Sequence, residues 1–225
     1  PKMYPLTENL LVELAAVIHD PVTTTDELIP SGETSSYRSN PLRLAEFTLS
    51  RRVPEYVGHA KDIAAQEAER REGKLPEHLK AVLSAVGDAA ALAGTTQFGS
   101  AVFANKPGDG SAREQAASCQ KVLGGFANIC YEYATKRYRS NVMNWGMVPF
   151  QMEAEPNFEV GDYVFVPGIR AALDGDLKDI AAYVVRADGA VEQIELYIAD
   201  MTAEERAIVK AGCLINYNKF KAAAE

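Results

Sequence analysis

The order of apolar and polar positions in the first fifty residues predicts a strand, a polar connection and a helix. Residues 8–18 are almost continuously apolar, which suits a buried strand or a short helix; periodicity does not separate the two, and we favour a strand. Residues 23–39 are rich in turn-forming residues and predict a long connection, of a kind that is more often functional than not. Asn40-Pro41 then predicts an N-cap and first helical position, opening a helix that reaches about Arg51.

Between Gly58 and Ala93 the apolar positions recur with helical spacing. The first half is rich in Lys, Glu and Arg, and we expect it to lie on the surface. The second half follows Pro76 and carries apolar residues three or four positions apart, at Leu79, Val82, Leu83 and Val86. This pattern predicts a helical insert over about 58–93.

Short apolar runs and helical patterns alternate through the rest of the chain. Strands are predicted at 98–104, 126–131, 163–166, 180–185 and 191–198, with a hairpin turn at Asp188-Gly189. Helices are predicted from Ser111 to about Gly124, over 134–144, and from Thr202 to Gly212, followed by a short tail. Strands alternating with helices, then a hairpin, place the chain in the α/β class with a mixed sheet.

Composition limits the class of protein and its partners. The chain has 225 residues, 47% of them hydrophobic, enough for one large core or two small ones. A net charge of −8 and a pI near 5.1 argue against nucleic acid as a partner. No apolar run approaches the roughly 20 residues of a membrane span, so we expect no membrane association. Because the chain begins at Pro1 with no signal pattern, we expect a fragment of a longer enzyme.

The three cysteines, Cys119, Cys130 and Cys213, are widely spaced and include no Cys-x-x-Cys pair. Neither a disulfide framework nor a metal-ligand set is indicated, and the three histidines also lack ligand spacing. We therefore expect a reduced, cytoplasmic protein with no metal site of its own.

The main candidate for chemistry is the stretch 109–117, Asp-Gly-Ser-Ala-Arg-Glu-Gln-Ala-Ala. Ser111 and Glu114 have the spacing of a capping box, which predicts that a helix begins there. A helix N-terminus offers free N–H groups and the positive end of the dipole, and Arg113 adds a planar donor fork, so this turn suits a carboxylate or phosphate. The Ser111 hydroxyl could then act as a base, because both features stabilise its alkoxide. The alternative is an ordinary cap worth about 1 kcal/mol.

Residues outside this stretch extend the candidate site. Arg38 together with Arg113 could clamp two carboxylates in bidentate geometry. Asp26 would be an acidic partner in the same pocket, and Gly108 and Gly110 allow close approach of the backbone to a ligand. The alternatives are a solvated surface charge for Arg38 and a turn or cap residue for Asp26.

Several stretches, in the same order along the chain, resemble the C-terminal swivelling domain of aconitase-type hydratases. Residues 110–117 resemble its Gly-Ser-Ser-Arg-Glu-His-Ala-Ala signature, and Thr24-Thr25-Asp26, with Arg38 twelve positions later, resembles its Thr-Thr-Asp segment and substrate arginine. Residues 123–127 (Leu-Gly-Gly-Phe-Ala) and 146–149 (Gly-Met-Val-Pro) resemble its Leu-Gly-Gly-x-Ala and Gly-Leu-Leu-Pro segments. The resemblance covers nearly the whole chain and implies one swivelling β/β/α domain over 1–225.

The resemblance implies a reversible dehydration of a hydroxy di- or tricarboxylic acid. Ser111 would be the base that removes the substrate proton, and Asp26 an acidic catalytic residue. The substrate-binding residues would be Arg113, Arg38, Ala112 and Gly110. A [4Fe–4S] cluster would be bound by cysteines in other domains, so we expect this chain to bind no cofactor. It would need cluster-bearing N-terminal domains or a large subunit, and we expect no turnover by the chain alone.

Departures from the family pattern bear on the substrate. Ala112 replaces a serine, Gln115 replaces a histidine, and Ile29 stands where aconitases often have a serine. Each change loses a polar group near the substrate, so citrate and isocitrate are not implied. One alternative is the small subunit of an isopropylmalate-isomerase-like or homoaconitase-like enzyme. Another is a binding or regulatory module without chemistry, for example one that binds RNA, against which the acidic balance counts.

Overall fold

A seven-stranded mixed sheet lies at the centre of the structure, a computed structural model that describes residues 2–30 and 40–224. The strands are β1 (Asn9–Ile18), β2 (Thr23–Thr24), β3 (Thr96–Ala104), β4 (Pro107–Asp109), β5 (Gly125–Cys130), β6 (Val148–Gln151), β7 (Tyr163–Val166), β8 (Ile180–Val185) and β9 (Val191–Leu196). The helices are α1 (Thr25–Leu28), α2 (Pro41–Ala45), α3 (Tyr56–Arg71), α4 (Glu77–Val86), α5 (Ala89–Ala93), α6 (Arg113–Val122), α7 (Lys136–Asn144), α8 (Ile169–Ala172), α9 (Ala203–Ala211) and α10 (Leu214–Ala224).

The large sheet combines a parallel half with an antiparallel half. Its strand order is β6-β5-β3-β1-β7-β8-β9; the first four strands are parallel, and the others pair antiparallel. The sheet curls so that its two outer strands meet. Gln151, at the end of β6, and Tyr197, just after β9, exchange backbone hydrogen bonds of 2.7 and 2.8 Å. A second, two-stranded sheet pairs β2 with β4.

Alternation along the central strand β1 explains why the sheet is covered on both faces. Leu11 and Ala15 belong to an apolar cluster shared with the helices, whereas Leu10, Val12 and Leu14 belong to the cluster on the other face. Successive side chains of a strand point to opposite faces, so both sets are buried without interrupting the strand. The predicted strand at residues 8–18 is therefore confirmed.

The helical pattern predicted over 58–93 corresponds to α3, α4 and α5, and its charged first half is not merely a surface element. Helix α3 packs on β1 and β3 and buries Tyr56, Ala60, Ile63 and Glu67. Mostly apolar residues on one side of the helix meet the sheet, joined by Glu67, whose carboxylate accepts the Phe98 N–H of β3 and pairs with the largely buried Arg70. The insert is thus one of the layers that cover the sheet.

The other predicted strands and the mixed α/β class are confirmed, while two predicted boundaries are wrong. The helix capped by Asn40 ends at Ala45, well before Arg51. Leu49 has a φ of +55° and donates its N–H to the Leu28 carbonyl at 2.8 Å, which is incompatible with a continuing helix. The expected short tail is instead the 11-residue helix α10.

Strand β6 was not predicted because it contains Pro149, a residue that argues against a central strand. The structure places β6 at the edge of the large sheet, where proline is tolerated. Within the described ranges, no helix is long and apolar enough to cross a membrane.

Candidate functional site

The small β2–β4 sheet brings together two stretches that are more than eighty residues apart. Thr23 lies opposite Pro107, and Thr24 lies opposite Asp109, in a parallel pairing. The Thr23 N–H also donates to the Lys106 carbonyl at 2.9 Å. Because the two strands are parallel, the chain leaves both at the same end of the small sheet. This places the Thr24-Thr25-Asp26 turn beside the Gly110-Ser111 turn.

A capping box that the sequence analysis missed shapes the first of these turns. The Thr24 hydroxyl accepts the Glu27 N–H at 3.1 Å, and the Glu27 carboxylate accepts the Thr24 N–H at 2.7 Å. The Thr-x-x-Glu spacing was the available signal. Asp26 occupies the first turn of the short helix that follows; it is exposed and lies 3.8 Å from the Arg51 guanidinium.

Gly110 fits against the Thr25 side chain so closely that no other residue would fit. A Cβ at Gly110 would lie 2.2 Å from the Thr25 hydroxyl oxygen, and the φ of +137° also disfavours other residues. Gly108 is restricted in the same way: its φ is +101°, and a Cβ there would lie 2.3 Å from the Tyr138 ring. Because neither glycine has a side chain, the second turn packs closely between Thr25 of α1 and Tyr138 of α7.

The predicted capping box at Ser111 and Glu114 is wrong. Helix α6 begins at Arg113, and its N-cap is Ala112, which has no side-chain acceptor. Glu114 accepts instead from the Trp145 indole N–H at 3.3 Å. Because Gly110 is held against Thr25, helical geometry starts too late for Ser111 to be the cap.

This late start leaves Ser111 exposed immediately before the helix. Its hydroxyl forms no hydrogen bond with any residue in 2–30 or 40–224, and the first N–H groups of α6 have no capping side chain. The exposed end of a ten-residue helix thus offers unpaired donors and the positive end of the dipole beside a hydroxyl. The arrangement suits an anionic ligand.

Arg113 occupies the first position of α6 and is half-buried. No carboxylate in the described part of the chain forms an ion pair with it. Arg38 lies outside the described residues, so the two-arginine clamp stays a prediction. The chain re-enters the described part at Asn40, and helix α2, which starts at the next residue, packs directly on α6.

A closed ring of buried hydrogen bonds fixes α6 relative to α7 and β5. The Tyr138 hydroxyl donates to Asn128 Oδ1 at 2.6 Å and accepts from Gln120 Nε2 at 2.9 Å, while Asn128 Nδ2 donates to Gln120 Oε1 at 2.7 Å. Burial raises the pKa of Tyr138, so its hydroxyl stays protonated and donates. Tyr138 also packs on Gly108, so the hydrogen-bonded ring fixes the side chain against which the Gly108-Gly110 turn lies.

The described part of the chain shows no set of side chains that would hold an iron–sulfur cluster. Among the described residues, no three side chains of His, Cys, Asp and Glu lie close enough together to hold a metal ion. All three cysteines are buried as free thiols. A cluster held by another chain or domain stays a prediction.

Comparison with solved structures finds a similar fold in the crystal structure of a 3-isopropylmalate dehydratase from Methanocaldococcus jannaschii. The TM-score is 0.57 and the sequence identity 18%, and the match covers 96% of this chain and 96% of that chain. At this identity the likeness shows the fold alone. The sequence matches no protein-family model and no curated protein.

Proposed function

We propose that this chain is the small subunit of an isopropylmalate-isomerase-like hydro-lyase, in which it supplies the base and the carboxylate-binding residues. The observation that carries the proposal is the β2–β4 pairing, which sets the Thr-Thr-Asp turn against the Gly-Ser-Ala-Arg helix start. These are the two stretches for which the aconitase resemblance implies catalytic roles. The similar fold of a 3-isopropylmalate dehydratase supports the same reaction class.

The extent of the structural match favours a subunit over the C-terminal domain of a longer enzyme. This fold accounts for 96% of the matched dehydratase chain, which leaves that chain little room for a second, cluster-bearing body. By analogy, we propose that a separate large subunit carries the cluster here. A cytoplasmic location is part of the proposal, since the three cysteines are free thiols.

In the proposed reaction, a hydroxy acid loses water to give an unsaturated acid. Ser111 would accept the proton from the carbon next to a carboxylate, and the hydroxyl would leave from the neighbouring carbon, so that proton and hydroxyl together make one water. Arg113 and Arg38 would hold the carboxylates, and the end of α6 would stabilise the serine alkoxide. Asp26, exposed in the turn that packs against Gly110 through Thr25, would supply the acidic group.

Exposure of Ser111 explains why we expect no turnover by the chain alone. In water, a helix end stabilises an adjacent anion by only about 0.3–1 kcal/mol, far too little to make a serine hydroxyl a strong base. Closure of a partner surface over Ser111 would exclude water and strengthen both the dipole and the Arg113 interaction. The exposed turn is thus proposed as one half of a shared active site.

The character of Ala112 favours a substrate with an apolar group. The residue is half-buried, packs against the apolar cluster beside the helices, and places a methyl group where the family signature has a hydroxyl. We therefore propose a hydroxy dicarboxylate with a hydrocarbon branch, rather than citrate or isocitrate.

The proposal is tested by combining this chain with the cluster-bearing large subunit of the same organism. We expect each protein alone to be inactive and the mixture to dehydrate 2-isopropylmalate faster than citrate, measured by the absorbance of the unsaturated product. A large subunit that is equally active without this chain would contradict the proposal. Binding of RNA by this chain, with no effect on dehydration, would favour the non-catalytic module instead.

A further inference from the structure

A second pocket lies at the opposite end of helix α6, roughly 12 Å along the helix axis from Arg113. It is a cleft of about 170 Å³ between α3, the start of β3, the end of α6 and the N-terminal segment. Its walls include the rings of Tyr4, Phe98 and Phe126, and its floor includes the Gly124-Gly125 turn. Apart from the family resemblance of the Gly124-Gly125 turn, no sequence pattern marks this cleft.

The feature that marks this cleft is Lys121, a buried lysine with no hydrogen-bond partner. Only 5% of the residue is exposed, and its ammonium nitrogen has no acceptor within the described residues. The nitrogen lies 4.1 Å from the centroid of the Phe126 ring, which itself lines the cleft. The Phe126 ring packs directly on Gly99, where a Cβ would lie 1.9 Å from the ring.

The charged groups around the cleft carry an excess of positive charge. The carboxylate of Glu67 is bound by Arg70 at 2.5 Å and by Arg71 at 3.3 Å, and it also accepts the Phe98 N–H. Arg71 and Lys2 remain at the rim, where the Arg71 guanidinium stacks on the Tyr4 ring at 4.2 Å. Arg71 has five N–H donors, and its contact with Glu67 leaves others for a ligand.

Burying an amine without a hydrogen-bond acceptor costs free energy that the Phe126 ring offsets only in part, so its presence in a cleft points to a function. Burial lowers the pKa of Lys121 to about 7, and the charge of a Cys213 thiolate would act in the opposite direction. Near neutral pH, a large share of the amine is therefore uncharged. A neutral amine is a nucleophile toward carbonyl carbon.

We propose that this cleft is a second small-molecule site that captures an oxo acid, with Lys121 forming an imine and Arg71 holding the carboxylate. The Lys121 nitrogen adds to the carbonyl carbon, and the resulting carbinolamine loses one water to give the imine, with no change in oxidation state. The aromatic walls accommodate the hydrocarbon part. The cleft volume of about 170 Å³ suits a small ligand such as a short-chain oxo acid.

The test is reductive trapping of the imine with sodium cyanoborohydride. The whole chain is incubated with 2-oxobutyrate and sodium cyanoborohydride, and the modified lysines are identified by peptide mass spectrometry. We expect Lys121 to be modified ahead of every exposed lysine, and Lys121→Met to remove this fast modification. Lys80→Met, which changes an exposed lysine of α4, is the matched control and should leave it unchanged.

A second variant separates the carboxylate contact from the carbonyl chemistry. Arg71→Gln should lower the capture of 2-oxobutyrate by about tenfold, as expected for the loss of a charge-assisted contact, and leave the capture of butanal, which has no carboxylate, nearly unchanged. Thermal unfolding checks that both variants fold; Lys121→Met should be at least as stable as the wild type, because it removes a buried unpaired amine. Modification of Lys121 no faster than Lys80 would overturn the proposal. These measurements need no large subunit, so their outcome is independent of the proposed hydro-lyase activity.

Discussion

Gly110 combines a φ of +137° with a contact that leaves no room for a side chain beside Thr25. Thr25 is buried and forms the start of α1, so it has little freedom to move aside. At the scale of single residues, this contact decides whether the Asp26 turn and the Ser111 turn meet. The sequence indicated that Gly110 allows a close approach, but it did not indicate that the approaching group is Thr25.

Replacement of Gly110 by alanine should therefore destabilise the fold more than positive φ alone explains. Gly161→Ala is the matched control, since Gly161 has a φ of +94° and open space around its Cβ position. We expect the control to cost about 1 kcal/mol, from backbone strain partly offset in the unfolded state. Gly110→Ala should cost a further 1–3 kcal/mol or so from overpacking. Urea unfolding of both variants measures the difference, and equal losses would show that the Thr25 contact carries no weight.

Ser111 shows what the sequence could and could not predict at this scale. The residue types of its turn predicted an anion-binding helix start; the structure has a helix start there with no capping side chain, and anion binding stays a prediction. The capping box was wrong because its spacing describes local geometry only, whereas the contact between Gly110 and Thr25 crosses more than eighty residues of sequence. For the same reason, the sequence did not predict that Asp26 forms an ion pair with Arg51, since Arg51 is distant in the chain.

At the scale of elements, the site depends on how α6, α7 and β5 are fixed to one another. The ring formed by Tyr138, Gln120 and Asn128 joins all three, and each member is buried. No pattern in the sequence predicted this ring, because its members lie on separate elements and have no characteristic spacing. Their polar side chains at core positions were the only signal.

Tyr138→Phe removes one hydroxyl from the ring and leaves Asn128 Oδ1 without its donor. We expect a loss of about 1–3 kcal/mol, the usual cost of an unsatisfied buried polar group. Tyr131→Phe is the control, because the Tyr131 hydroxyl forms no hydrogen bond in the described part of the chain. Chemical denaturation of the two variants provides the comparison, and a neutral effect of Tyr138→Phe would mean that the ring does not hold these elements together.

Secondary structure with strong periodicity was predictable, and structure fixed by tertiary context was not. Helix α4 follows from its own hydrophobic pattern, whereas at β1 the continuous apolar run fixed burial and left strand and helix both open. Strand β6 contains a proline and owes its pairing to β5, and α2 stops early because Leu49 bonds to Leu28. Neither cause is visible in a local window of sequence.

At the scale of the whole molecule, the two halves of the candidate site are brought together by topology. The parallel strands β1 and β3 lie side by side, so the connections that follow them lie side by side as well, and the β2–β4 pairing joins these connections. The resulting turn is exposed at the end of α6. The net charge of the chain gave no indication that these two turns meet. The order of the family motifs along the chain did indicate it.

The most direct test of this account is the turnover of the reconstituted enzyme with Ser111→Ala, compared with Ser140→Ala. Ser140 is an exposed serine of α7 and lies outside the site. Loss of a catalytic base should lower kcat by about 10²–10⁴-fold with little change in KM, while the control keeps wild-type turnover. Wild-type turnover by Ser111→Ala would contradict the assignment of Ser111 as the base and, with it, the central role of the Gly110-Ser111 turn.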